Sequence, residues 1–308
     1  MIKMGKNFEG VFPVVLTLYK SDLSIDEEAV RTLVNFLIEK GVNGLWITGS
    51  ISESVLLSLD EQNKLTKIII DEANGKVPTI VTAISPSTQW IIHRCKVAKD
   101  LGADAIAALP PNYWVKVVSK PEVLYQHYSL IAKSIDLHIF IYNFPDGVGV
   151  NIPPSLISKL HSEFSNIIGL KDTTTDLMHI IDVLKMTNYS MIVFSGSEDM
   201  MLPTLYAGGK GTVSGIANVF PEIVVELYKV FKEKQYDKAI ELNNKIVALR
   251  DIKSVGVTPV TFLKEALKIR GLPIQSYVRM PLLPLTEEQK NELKTKIKEV
   301  LGEEYLKI

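Results

Sequence analysis

A lysine that closes an apolar run offers more chemistry than any other residue in this sequence. Asn166-Ile167-Ile168-Gly169-Leu170 reads as a strand meant for burial, and Lys171 stands at its end. Burial disfavours an ammonium ion. An amine held that way is nucleophilic near neutral pH and condenses with a ketone to an imine, an electron sink for making or breaking the adjacent C–C bond. The plainer alternative is a lysine that reaches past the rim to solvent or pairs with Asp172. Tyr142 ends the preceding run, Ile139-Phe140-Ile141-Tyr142. Neighbouring strands lie ~4.8 Å apart, so its phenol comes within reach of the lysine and can shuttle protons. A core tyrosine with one hydrogen bond fits the same pattern.

Two more polar clusters follow apolar runs. Gly49-Ser50-Ile51-Ser52-Glu53 has the spacing of a capping box, serine at the cap and glutamate three residues on. The hydroxyls and free N–H groups of such a helix start also make a cradle for a carboxylate. Gly196-Ser197-Glu198-Asp199 reads as a helix start with Ser197 at the cap. Alternatively, its paired carboxylates accept hydrogen bonds from the hydroxyls of a polyol. Thr173 either adds a contact there or caps a helix.

These residues need elements to hold them. Eight short apolar runs are expected strands: Val11–Leu18, Gly44–Thr48, Thr79–Ala83, Ala105–Leu109, Leu137–Tyr142, Ile167–Leu170, Met191–Phe194 and Thr212–Ile216. Between them, segments such as 25–40, 60–74 and 88–101 carry apolar residues at helical spacing. Strands that read as continuous apolar runs are covered on both faces, which favours a (β/α)8 TIM barrel. A doubly wound sheet would show a glycine-rich turn after its first strand, where this chain has Leu18-Tyr19-Lys20-Ser21-Asp22. In a barrel, residues at the carboxyl ends of strands face the active site, and that is where the clusters lie. After Ile216 only helical patterns follow, at 221–233, 236–250, 258–269 and 286–300. The expected division is a barrel over 1–222 with helices over 223–308 packed on it as one unit.

Composition narrows the partners. A formal net charge of -1 offers no basic excess for nucleic acid, so a small molecule is the expected partner. The single cysteine, Cys95, cannot form an internal disulfide, and His93, His127, His138, His161 and His179 lack metal-site spacing. Neither a metal nor a cofactor is expected. The start MIKMGKNFEG lacks the apolar stretch of about 7–15 residues that marks a signal peptide, and no run approaches the ~20 of a membrane span. A cytoplasmic protein without membrane partners is the expectation.

With these residues in view, the sequence resembles the dihydrodipicolinate synthase/N-acetylneuraminate lyase family of class I pyruvate aldolases. The likeness runs from Gly10-Val11-Phe12-Pro13 through Tyr142-Asn143-Phe144-Pro145 and Gly169-Leu170-Lys171-Asp172 to Arg279-Met280-Pro281-Leu282-Leu283-Pro284-Leu285. It implies that Lys171 forms the imine, Tyr142 passes protons, and Ser50 bridges Tyr142 to Tyr113, a tyrosine that in the family reaches into a neighbouring subunit's site. It also implies that the Val213 carbonyl faces bound pyruvate and that the protein is a homotetramer, a dimer of dimers.

Departures sort the family's members. Where the family reads G-[ST]-T-G-E, this chain has Ile51 and Ser52, so backbone N–H groups or Ser52 must stand in for a lost hydroxyl. The arginine that synthases of the family place shortly after YNxP is absent from Asp146-Gly147-Val148-Gly149. An arginine–carboxylate fork is not replaced by glycine. Thr173, Gly196, Ser197, Glu198 and Asp199 resemble the hydroxyl-binding positions of 2-keto-3-deoxygluconate-type aldolases, making a 2-oxo acid and an aldehyde the expected ligands. Dihydrodipicolinate synthase is the rival reading. A hydratase-aldolase, a dehydratase, or a barrel that binds 2-oxo acids without turnover stays open.

Overall fold

The computed structural model describes residues 6–252, 255 and 258–307. Its eight strands are β1 (Gly10–Pro13), β2 (Leu45–Ile47), β3 (Thr79–Ala83), β4 (Ala105–Ala108), β5 (His138–Asn143), β6 (Ile167–Asp172), β7 (Ile192–Ser195) and β8 (Gly211–Ser214). They form one sheet in the order β1-β8-β7-β6-β5-β4-β3-β2, with parallel pairing at every junction from β3 to β8. Parallel neighbours need crossover connections, and a helix lies between each strand and the next. The fold is the (β/α)8 barrel.

The chain packs as two compact units. One comprises Val77–Val213 with the segment ending at Gly10; the other comprises Val11–Lys76 with the segment from Ser214 onward. In the first, β3 to β7 bury apolar side chains such as Ile80, Ile106, Ile141, Leu170 and Val193 beside polar ones, and Phe8, Phe140 and Phe194 are all buried. In the second, the helix Glu27–Glu39 buries Val30, Leu33, Val34 and Leu37 on one face, the stripe its 3.6-residue period requires. The helices Pro221–Lys232, Tyr236–Ile252, Pro259–Ile269 and Glu287–Leu301 follow β8. Pro221 and Pro259 each occupy a first helical turn, where a missing N–H costs nothing.

Three strands end two or more residues from where the apolar runs suggest, β8 among them, which stops at Ser214 before the turn Ile216–Asn218. β1 stops at Pro13, although residues 14–18 are as buried as the strand. That segment bonds irregularly instead: Val15 N–H donates to the Trp46 carbonyl at 2.9 Å, and the Val15 carbonyl accepts from the Ser52 hydroxyl at 2.6 Å. An apolar run marks burial, and burial here is met without a ladder. β6 runs two residues further than expected, through Lys171 and Asp172, because both pair in register with β5 and β7.

Candidate active site

Lys171 and Tyr142 are direct register partners on β6 and β5. Both side chains are buried, at 2% and 1% exposure, and the lysine Nζ lies 4.0 Å from the centroid of the tyrosine ring. A cation held over an aromatic face is attracted by the ring quadrupole. A buried amine and phenol in contact are also what imine chemistry with proton transfer requires.

The floor under this pair is aromatic. Residues two apart on a strand share a face, so Phe140 and Gly169 lie one step below Tyr142 and Lys171, again as register partners. A Cβ on Gly169 would overlap the Phe140 ring and come within 2.9 Å of the Ile192 carbonyl. Glycine is therefore what admits the ring. Phe140 stacks on Phe194 at 5.8 Å, and Phe8 meets Phe140 edge-on at 5.5 Å. Phe194 is in turn the β7 register partner of Lys171. Above, Phe144 stacks on Tyr142 at 5.8 Å with the rings 9° apart, and its ring fills the space a side chain at Gly147 would need.

The next residues on the two strands point the other way and are tied together. Asn143 and Asp172 are register partners. The Asn143 side chain accepts from Ile152 N–H at 3.0 Å and donates to Asn151 at 2.8 Å. The Asp172 carboxylate accepts from Thr174 N–H at 2.8 Å and stands 2.6 Å from His179 Nδ1. His179, on the helix Leu177–Met186, turns its Nε2 to the Ile152 carbonyl at 2.9 Å. Burial works against a charged His179 ring, but Asp172, the Ile152 carbonyl and Asp176 outweigh it, so the His179 pKa is raised. The Asp172 carboxylate, which the plainer sequence alternative offered to Lys171, faces His179.

Just past the end of β7, the Gly196 N–H donates to the Asp172 carbonyl at 2.5 Å, and a Cβ there would overlap the Thr173 side chain. Ser197 precedes a short 3-10 turn, Glu198–Met200, without capping it, because its hydroxyl donates to the Asp199 carboxylate. Nor is Thr173 a cap, since Asp176 caps the helix that follows. Glu198 and Val213 are buried, whereas Thr173, Ser197 and Asp199 are half-buried.

The segment Gly49–Glu53 belongs to the other unit. Ser50 is exposed, Ile51 half-buried and Ser52 fully buried, its hydroxyl proton committed to the Val15 carbonyl. The capping-box expectation fails here. Glu53 adopts a left-handed conformation (φ 56°) before the turn Ser54–Leu56 and caps nothing, and the true capping box lies at Ser58 and Glu61. Glu53 is instead ion-paired with Lys264, both fully buried. Lys264 also donates to the Tyr277 carbonyl at 2.8 Å and sits 4.3 Å from the centre of the Tyr19 ring. Burial pushes its pKa down to about 8 against the pull of Glu53. Composition gave one signal for this pair: a lysine set among Phe262, Leu263, Ala266 and Leu267, all buried, needs a partner.

Tyr113 lies outside both clusters, 65% exposed and beside Trp114, their ring centroids 5.7 Å apart. Among the described residues, no group of three or more His, Cys, Asp or Glu is placed to hold a metal ion, and no helix is long and apolar enough to cross a membrane.

With that geometry established, comparison with known proteins decides the family. Residues 7–300 match the Dihydrodipicolinate synthetase family. This chain belongs to that family. A 4-hydroxy-tetrahydrodipicolinate synthase of Methanococcus aeolicus is 36% identical over 293 residues, 94% of this chain and 98% of the relative. A probable 2-dehydro-3-deoxy-D-pentonate aldolase of Escherichia coli is 33% identical over 291 residues, 94% and 96% of the two chains. The crystal structure of YagE, a prophage protein of the dihydrodipicolinic acid synthase family from E. coli K12 in complex with pyruvate, superposes with a TM-score of 0.91 at 29% identity, covering 95% of this chain and 98% of that one. As a dihydrodipicolinate synthetase family member the chain is an enzyme, a carbon–carbon lyase of the aldolase kind.

Proposed function

We propose that this enzyme is a class I pyruvate aldolase acting on a 2-keto-3-deoxy sugar acid. The observation that carries the reading is the buried contact of Lys171 with Tyr142. Lys171 Nζ attacks the 2-oxo carbon, and loss of water leaves an iminium ion. Tyr142 takes the proton of the C4 hydroxyl, the C3–C4 pair flows into the iminium to give an enamine, and an aldehyde departs. Protonation of the enamine at C3 and hydrolysis then release pyruvate and restore the amine.

Other roles follow from the family likeness. Thr173, Gly196, Ser197, Glu198 and Asp199 are assigned to the substrate hydroxyls, and the Val213 carbonyl to bound pyruvate. Ser50, Ile51 and Ser52 are assigned to the substrate carboxylate. In the single chain the Ser52 hydroxyl proton goes to the Val15 carbonyl and its N–H to the Gly49 carbonyl at 3.1 Å, so a direct Ser52 contact requires one of these bonds to be exchanged. Ser50 also joins Tyr113 in the proton relay. Tyr113, exposed on the single chain, is assigned to a partner subunit's site in a cytoplasmic dimer of dimers, and light scattering of the purified protein tests that assembly.

Condensation of pyruvate with aspartate semialdehyde is the second reading, favoured by the 36% identity to a synthase. The absence of any arginine between Tyr142 and Gly149 weighs against it, because the second carboxylate then lacks its bidentate partner. Borohydride reduction in the presence of pyruvate, read by intact mass, adds one reduced pyruvyl group to the wild type and none to Lys171→Ala. Incubation with 2-keto-3-deoxygluconate releases pyruvate. Turnover of aspartate semialdehyde without such release would reverse the choice of substrate.

A further inference from the structure

The two best-buried histidines of this unit have partners that dictate opposite protonation states. His127 stands 3.0 Å from the Leu109 carbonyl by Nε2 and 2.8 Å from the Thr88 hydroxyl by Nδ1. A carbonyl can only accept and a hydroxyl can donate, so a neutral ring with its proton on Nε2 satisfies both. His179 has no donor to receive. Its Nε2 faces the Ile152 carbonyl at 2.9 Å and its Nδ1 faces the Asp172 carboxylate at 2.6 Å. The Asp172 approach is an ion-pair distance and not an aligned hydrogen bond. Against two acceptors the ring is satisfied only with a proton on each nitrogen, since a carboxylate repels a bare imidazole lone pair.

Each partner of that ring leads back to the reacting pair. Asp172 follows Lys171 on β6. Ile152 is held by the side chain of Asn143, which follows Tyr142 on β5. Asn143 and Asp172 are themselves register partners, and the Asn143 carbonyl accepts from Thr173 N–H at 2.9 Å. The path Tyr142–Asn143–Ile152–His179–Asp172–Lys171 is therefore a closed bracket behind the site, with all its members buried. We propose that His179 is a positioning residue for Lys171 and Tyr142, acting as an imidazolium ion that fastens the ends of β5 and β6 to the backbone at Ile152. The charged neighbours of the ring are Asp172 on β6 and Asp176 at the start of its own helix, and both favour the cation. Removing the proton turns the Asp172 contact repulsive and opens the bracket, which loosens the spacing of amine and phenol without touching either. Geometry of this kind governs rate steeply.

The inference rests on Lys171 being the imine-forming residue, and the test separates the two ideas. Ring 15N shifts of His179 at pH 7 report two protonated nitrogens in the wild type. In Asp172→Asn they report one, because the new amide donates to Nδ1 while its oxygen keeps Thr174 N–H. The rate of pyruvate-dependent borohydride trapping at pH 7 falls about tenfold in His179→Gln. The ratio of wild-type to His179→Gln rates drops toward one as rising pH deprotonates His179. Asp172→Asn, whose bridge needs no extra proton, loses that pH dependence. A neutral His179 in the wild type at pH 7 overturns the proposal, as does His179→Gln trapping at the wild-type rate. If His179→Gln does not fold by thermal melting, Asp172→Asn decides, and an unchanged pH dependence there counts against us. No adduct on wild-type Lys171 would instead remove the imine reading, and this inference with it.

Discussion

The amine of Lys171 rests over the face of Tyr142, 4.0 Å from the ring centroid, and the two are register partners on adjacent strands. The ring can therefore serve the amine in two ways, by its π face and by its hydroxyl. Tyr142→Phe separates them. That enzyme keeps the face and still forms the borohydride-trapped imine, but kcat for aldol cleavage falls about 10²- to 10⁴-fold, the usual worth of a lost proton-transfer group. Steady-state kinetics beside intact-mass trapping reads both effects. Wild-type kcat in Tyr142→Phe would take the phenol out of the chemistry.

Gly169 fixes the depth at which that pair sits. Its missing Cβ leaves the space that Phe140 occupies, and the Ile192 carbonyl closes the other side. Gly169→Ala must push the ring off Phe194 or part β6 from β7. Overpacking of this kind costs about 1–3 kcal/mol, and the same shift displaces Lys171 two residues on. The expected result is a lower denaturation midpoint in urea together with a lower kcat. Restoring room with Phe140→Leu in the same chain recovers part of both; a Gly169→Ala protein as stable as wild type would show that the floor yields freely.

Much of this was legible in the chain. Strand positions followed from apolar runs, and Lys171 and Tyr142 stood out because a polar residue closing a buried strand has few reasons to be there. Spacing alone could not place Glu53. The local pattern from Ser50 fits a capping box, but the carboxylate answers to Lys264, 211 residues away, and a buried cation outweighs a surface cap. The run Val14–Leu18 looked like strand because burial and pairing leave the same apolar signature. His179 gave no signal, since one histidine near a helix start reads as solvated until the fold sets Asp172 and Ile152 against its two nitrogens.

The Glu53–Lys264 pair is fully buried, and Glu53 also accepts from Arg279 N–H at 3.3 Å. Removing one partner strands the other charge in an apolar setting, which costs about 3–5 kcal/mol. Lys264→Met and Glu53→Gln each are expected to lower stability by that order. The double variant is expected to be more stable than either, because no charge is left unpaired. Urea unfolding of the four proteins in a double-mutant cycle measures the coupling. Losses that simply add would mean that the two groups do not depend on one another.

His127 is expected to make this fold acid-sensitive. Burial lowers its pKa from the ordinary 6.5 to about 4, and the Thr88 hydroxyl and Leu109 carbonyl suit only the neutral ring. Above pH 6.5 the ring is neutral both folded and unfolded, so it leaves stability unchanged with pH. Between 6.5 and 4 the unfolded chain takes up a proton that the folded one refuses, and stability falls with pH until the folded ring also titrates. The full difference is worth about 3 kcal/mol at 1.36 kcal/mol per pKa unit. His179, with a raised pKa, runs the opposite way: its contribution is complete below pH 6.5 and is lost as pH rises through its folded pKa. Urea unfolding at pH 7.5, 5.5 and 4.5 should therefore show an acid loss in the wild type that shrinks in His127→Gln, whose amide can still donate to Leu109 and accept from Thr88. An acid loss of the same size in both proteins would place the acid-sensitive group elsewhere.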